Sequence, residues 1–122
     1  MTYTKRKELV RSNLGKTITV KIDRPVGSVH PKHPDLIYPV NYGYIPDVMG
    51  DDGEELDVYV LGINEPISEF TGRVVGIVYR ENDVEDKLVA APDGMVFSQA
   101  KIAAAVQFQE QYYKTKIEVL EQ

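Results

Sequence analysis

The sequence predicts a mostly β fold, a small and mostly antiparallel barrel of about five strands with a helix near the C-terminus packed on it. Three observations lead there. The chain has 122 residues, about 43% of them apolar, enough to bury roughly two thirds of the unfolded surface around one core. Short alternating or β-branched runs recur along it, whereas helical spacing is clear only late. The strand-like runs are not interleaved with helices, as a βαβ fold would require. One domain over residues 1–122 is expected, since no repeat, linker or low-complexity tract divides the chain.

The elements follow in order. Residues 3–13 place Leu9 and Val10 among charges and read as a short helix, with Gly15 as its C-cap. From Thr17 to Asp23, Ile18, Val20 and Ile22 fall on one face, so Lys21 and Asp23 are expected to point away from the core. Pro25, Pro31, Pro34, Pro39 and Pro46 are too many for a helix or an interior strand, which predicts a shaped, extended loop over 24–46. Asp51-Asp52-Gly53 reads as a turn and Leu56–Leu61 as a buried strand, followed by strands at Arg73–Arg80 and Lys87–Ala91 with a turn at Asn82-Asp83. Ser98 can N-cap a helix to about Lys114 bearing Ile102, Ala105, Val106 and Tyr113, and Lys116–Leu120 alternates again.

Composition narrows the function classes. Without cysteine there can be no thiolate zinc site, iron–sulfur cluster, disulfide or thiol nucleophile. No apolar run reaches the length of a membrane span and no signal-peptide block follows the start, so a cytoplasmic protein with no membrane partner is expected. The net charge of −5 is polarised, with +6 over residues 1–32, −11 over 33–86 and 0 over 87–122. An acidic middle attracts cations and a basic beginning attracts phosphate or carboxylate, although acids spread over solvated loops would give the same totals. Nucleic-acid binding is not expected of a net acidic chain without a basic and aromatic stripe.

Within the acidic middle, Asp52-Gly53-Glu54-Glu55-Leu56-Asp57 is a carboxylate-rich turn entering an apolar strand. Asp57 and Tyr59 share a face of that strand, while Leu56, Val58 and Val60 are not all expected to face the core. A carboxylate at Asp57 is costly there unless a cation or donor meets it. Mg²⁺ with its oxygen ligands would serve; a hydrated acidic turn is the plainer alternative. Asp83-Val84-Glu85-Asp86-Lys87 offers Glu85 and Lys87 on one side, as metal and phosphate ligands or as a surface ion pair. Tyr112-Tyr113-Lys114 offers phosphate donors, or simply a helix end. His30 and His33, in His-Pro-Lys-His-Pro, suit an anion-binding or plain surface loop better than a transition-metal site.

Tyr38-Pro39-Val40-Asn41-Tyr42-Gly43-Tyr44-Ile45-Pro46, followed by Asp52-Gly53-Glu54-Glu55-Leu56-Asp57-Val58, resembles the signature of the soluble family I inorganic pyrophosphatases. The likeness continues through Val75-Gly76, Glu85-Asp86-Lys87-Leu88-Val89 and Tyr113-Lys114, and covers roughly residues 17–116. It implies an OB-like five-stranded barrel with helices and Mg²⁺-dependent hydrolysis of inorganic pyrophosphate to phosphate. Homo-oligomers are expected. Hydrolysis of another phosphoanhydride, or metal and anion binding without catalysis, remain the alternatives.

The resemblance also implies roles. Asp52 and Asp57 fall at divalent-metal positions and Glu54 beside the attacking water, which makes these three the candidate catalytic residues. Glu85 falls at a further metal position, with Asp83 as an additional acid. Tyr42, Lys87, Tyr113 and Lys114 fall at phosphate-binding positions and Tyr38 at a supporting Tyr. Glu54 and Glu55 stand where the family has Asp and Pro, and the chain is shorter than typical members. The missing length is expected to include a hairpin before Tyr38 that carries phosphate ligands, for which Lys21, Arg24, His30 and Lys32 are substitutes. Two registers are open: Asp23 with Lys32, or Asp23-Arg24 as the family's Asp-Arg pair. Pyrophosphate hydrolysis requires leaving-group charge to be neutralised and a water to be deprotonated, which Mg²⁺ ions and a nearby carboxylate can do.

Overall fold

The computed structural model describes residues 8–49, 55–81 and 86–120. Residues 8–11 are helical and the chain turns at Gly15, whose φ of 88° suits glycine. Strands β1 (Thr17–Arg24), β4 (Asn41–Met49), β5 (Glu55–Val60), β6 (Glu69–Arg80), β7 (Lys87–Ala91) and β8 (Thr115–Val119) form one sheet in the order β1-β4-β5-β7-β6-β8. A further pairing of β1 with the first half of β6 closes five of them into a barrel, and β8 continues along the same edge of β6 from Gly76 to Arg80. Helix α1 (Gln99–Glu110) begins at Ser98, whose hydroxyl accepts from the Lys101 N–H, and ends four residues before the expected Lys114.

The expectation of mostly antiparallel pairing is met with one exception: β5 and β7 run parallel, because the long β6, on the far side of β7, carries the chain back before β7 forms. The Pro-rich segment is more regular than expected. It contains a short antiparallel hairpin, β2 (Val29–His30) and β3 (His33–Ile37), so a hairpin does precede Tyr38. Pro46 lies inside β4, a strand paired on both sides. Regular pairing with both neighbours ends at Tyr44, so the N–H that Pro46 lacks falls outside either regular ladder. Gly43 is required within that ladder, since a Cβ there would stand 1.9 Å from the Lys21 carbonyl oxygen of β1.

Apolar side chains fill both sides of the barrel wall. Val20, Leu56, Val58, Val60, Val74, Ile77, Leu88 and Ala90 pack inside it. Tyr38, Tyr42, Tyr59, Val75, Val89 and Ala91 pack on its outer side with Ile102 and Val106 of α1. Leu56, Val58 and Val60, two apart and so on one face of β5, therefore all face the barrel core, contrary to expectation. With α1 covering the outer face, β5 is buried on both sides and its alternation separates two interiors rather than core from solvent. This layering positions the site, because Tyr42, Asp57 and Lys87 are carried on the outer face of adjacent strands.

Candidate functional site

A cavity of about 810 Å³ opens between the outer barrel wall, the end of α1 and the β2–β3 hairpin. From the wall come Tyr42 on β4, Asp57 on β5 and Lys87 on β7. The Lys87 ammonium donates to Asp57 Oδ2 at 2.7 Å, and the Tyr42 hydroxyl donates to the same oxygen at 2.9 Å. Lys87 is 3% exposed and Asp57 34%, so a buried cation is held behind a carboxylate that still reaches the cavity. Burial disfavours the Lys87 charge, but Tyr42 and Asp57 outweigh it and push the ammonium well above its ordinary pKa. Burial pushes the Tyr42 hydroxyl up as well, which keeps it a neutral donor.

A second network runs across the cavity floor. Arg24 donates to the Tyr38 hydroxyl at 2.6 Å, Tyr38 donates to Gln109 Oε1 at 2.8 Å, and Gln109 Nε2 donates to the Tyr59 hydroxyl at 2.7 Å. Tyr59 in turn donates to Glu110 Oε2 at 2.6 Å. Arg80 grips both oxygens of Glu110, Nε to Oε1 at 2.9 Å and Nη2 to Oε2 at 2.8 Å, and carries the Tyr113 ring 3.7 Å above its guanidinium. Such a fully partnered buried chain fixes side-chain positions at the cavity edge.

Of the residues singled out by sequence, the structure brings Arg24, Lys32, Tyr42, Asp57, Lys87 and Tyr113 to this one cavity. Lys114 is not among the lining residues; its ammonium lies 3.7 Å from Glu81 and is largely exposed. Asp52, Glu54, Asp83 and Glu85 lie outside the described residues. Sequence reading missed Arg80, Gln109, Glu110 and Tyr59. The signal was present, since Arg80 shares the face of Val78 on β6, and Gln109 and Glu110 continue the Ile102–Val106 stripe of α1.

Asp23 also lines the cavity, although its strand alternation turned it away from the barrel interior. Burial raises its carboxyl pKa, and the negative charges of Asp57 and Glu55 add to that against the nearby Arg24. Carboxylates crowded in this way favour a bound cation. Both donors to Asp57 use Oδ2, which leaves Oδ1 without a protein donor among the described residues. The oxygen chemistry of Asp23 and Asp57 thus fits a hard divalent ion, with further ligands needed, because no three such residues cluster among those described.

The family model for inorganic pyrophosphatases matches residues 8–118. The inorganic pyrophosphatase of Saccharolobus solfataricus is 36% identical over 77 residues, 60% of this chain and 41% of that protein. Inorganic pyrophosphatase 2 of Pseudomonas syringae pv. tomato is 32% identical over 83 residues, 62% of this chain and 45% of that protein. The matched stretches thus span about half the length of these curated relatives or less. Among solved structures, the inorganic pyrophosphatase from Ehrlichia chaffeensis is similar with a TM-score of 0.63 at 24% identity, covering 88% of each chain. That from Thermus thermophilus has a TM-score of 0.58 at 22% identity, over 87% of this chain and 81% of the other. At those identities the likeness is one of fold. No helix among the described residues is long and apolar enough to cross a membrane. With the family pattern running through the barrel, α1 and most of β8, the chain belongs to the inorganic pyrophosphatase family.

Proposed function

We propose that this cavity hydrolyses inorganic pyrophosphate to phosphate with Mg²⁺ as cofactor. The observation that carries the reading is the meeting of Asp57, Lys87 and Tyr42 on one wall of a cavity that Arg24, at the end of β1 beside Tyr42, and Lys32, in the hairpin turn, also line. Acids and cations lining one cavity are what a polyanion arriving with metal requires. Asp57 and Asp23 would hold the ion, joined by Asp52, Asp83 and Glu85 from the family pattern. When bound, Mg²⁺ would offset phosphate charge and lower the pKa of a coordinated water.

The remaining chemistry belongs to the chain itself. Lys87, kept cationic in the wall, offers charge where phosphate oxygens would lie, and the neutral Tyr42 hydroxyl would redirect its one proton from Asp57 Oδ2 to a phosphate oxygen. Arg24 would bind from beside Tyr42 and Lys32 from the hairpin turn, and Tyr113, held by Arg80, would close the helix end. Glu54, by its place in the pattern, would orient the attacking water or accept its proton.

Phosphate release from pyrophosphate, with and without chelator, tests the proposal. Mg²⁺-dependent turnover is expected, and none across Mg²⁺, Mn²⁺ and Zn²⁺ would overturn it. Turnover of nucleoside di- and triphosphates at the same rate would shift the substrate to phosphoanhydrides in general. A second measurement concerns the metal. Asp23→Asn is expected to raise Tm of the metal-free protein, chiefly by removing a charge that burial disfavours, with a smaller relief of repulsion from Asp57 and Glu55, and to shrink the rise that Mg²⁺ produces. An undiminished Mg²⁺-induced rise would remove Asp23 from the ligand set.

A further inference from the structure

The β2–β3 hairpin presents an imidazole whose tautomer is set by the backbone. His30 lines the cavity, and its Nδ1 accepts the Lys32 backbone N–H at 3.0 Å across the hairpin turn. A neutral imidazole carries one proton, so an accepting Nδ1 places that proton on Nε2. Burial, with the positive charges of Arg24 and Lys32, lowers the His30 pKa and favours this neutral form. The ring is also held in place. It stacks on Tyr38 at 11° between planes and 6.1 Å between centroids, lies 4.7 Å from the His33 ring, and Tyr38 is itself fixed by Arg24 and Gln109.

We propose that His30 is a substrate-binding residue, an uncharged donor whose Nε2–H takes a phosphate oxygen of the bound phosphoanhydride. The inference rests on the reading of the cavity given above. A neutral donor suits this place, because Arg24 and Lys32 already supply positive charge and a further cation would repel both. A transition metal fits less well. Ligation through Nε2 would move the proton to Nδ1, setting it against the Lys32 N–H, and no third metal-binding side chain clusters with His30 and His33 among the described residues.

The test uses the full chain and methylenediphosphonate, which cannot be hydrolysed. Long-range ¹H–¹⁵N spectra of the imidazoles should show the Nε2–H tautomer of His30 in the free protein and a shift at Nε2 on binding. His30→Ala should weaken diphosphonate binding and raise KM about tenfold, equivalent to about 1.4 kcal/mol, with kcat changed less than about twofold. His30→Gln, which keeps an N–H donor, should recover binding to within about threefold of wild type. Unchanged affinity in His30→Ala, an Nδ1–H tautomer, or Zn²⁺ bound stoichiometrically by both imidazoles would overturn the inference. Binding through His30 without turnover of pyrophosphate would overturn the hydrolysis instead, so the two failures are distinguishable.

Discussion

Asp57→Asn is expected to lower kcat for pyrophosphate by about three orders of magnitude, measured as phosphate release at saturating Mg²⁺. The substitution preserves shape and leaves an oxygen to accept from Tyr42 and Lys87, so what it removes is charge. That charge serves twice. It attracts the divalent ion, and it balances an ammonium that is 3% exposed. The stability consequence has a definite sign. The folded-state pKa of Lys87 is raised, so its ionised form stabilises the fold below its unfolded value of about 10.5, and the gain is lost as pH rises through the folded pKa. Removing the Asp57 charge takes away part of that gain at pH 7, so Tm should fall, and fall less at high pH than at neutral pH. A kcat within about tenfold of wild type would show that Asp57 is not at the reacting centre.

Arg80→Met is expected to cost about 3–5 kcal/mol, the usual penalty for stranding one member of a buried ion pair. The side chains of Arg80 and Glu110 are 2% and 3% exposed. Glu110 is moreover the last residue of α1, where the helix dipole disfavours negative charge, so its carboxylate depends on the guanidinium more than burial alone implies. Adding Glu110→Gln should return most of the loss, because no charge is then stranded and the amide oxygen can still accept from Tyr59. Urea denaturation at pH 7 reads both effects. Activity should not recover with stability in the double variant, because Tyr113 loses the cation beneath its ring. Equal stabilities of single and double variants would mean that the pair is not coupled.

The legible part of the fold was the part governed by local pattern. β7 has the bounds that its β-branched run predicts, and Ser98 caps α1 as its hydroxyl suggests. The proline-rich segment misled, because the prolines count against a strand only where the ladder needs their N–H. Pro46 lies where regular pairing has lapsed, and Pro34 belongs to a two-stranded hairpin with no further neighbour. Likewise, Leu56, Val58 and Val60 were not all expected to face the core, yet residues two apart share a strand face and all three pack inside the barrel, while α1 covers Tyr59 on the other face.

The site divides along similar lines. Tyr42, Asp57 and Lys87 were singled out by sequence because they sit in short, distinctive runs, while the sheet order β4-β5-β7 is what brings them onto neighbouring strands. Arg80 and Glu110, thirty residues apart, sit in no such distinctive run; each continues a buried apolar face, but that mark does not say that the two meet. By itself the sequence determined five of the eight strands described, the late helix, the acidic middle and the likeness to pyrophosphatases, since all of these depend on residues close together in the chain, whereas β2, β3 and β4 lay in what reads as a proline-rich loop. Only the tertiary structure decided which charges meet. It paired Lys87 with Asp57, buried Arg80 against Glu110, and folded the His30 hairpin over the cavity, because pairing is set by strand register and helix docking over separations that local pattern does not encode.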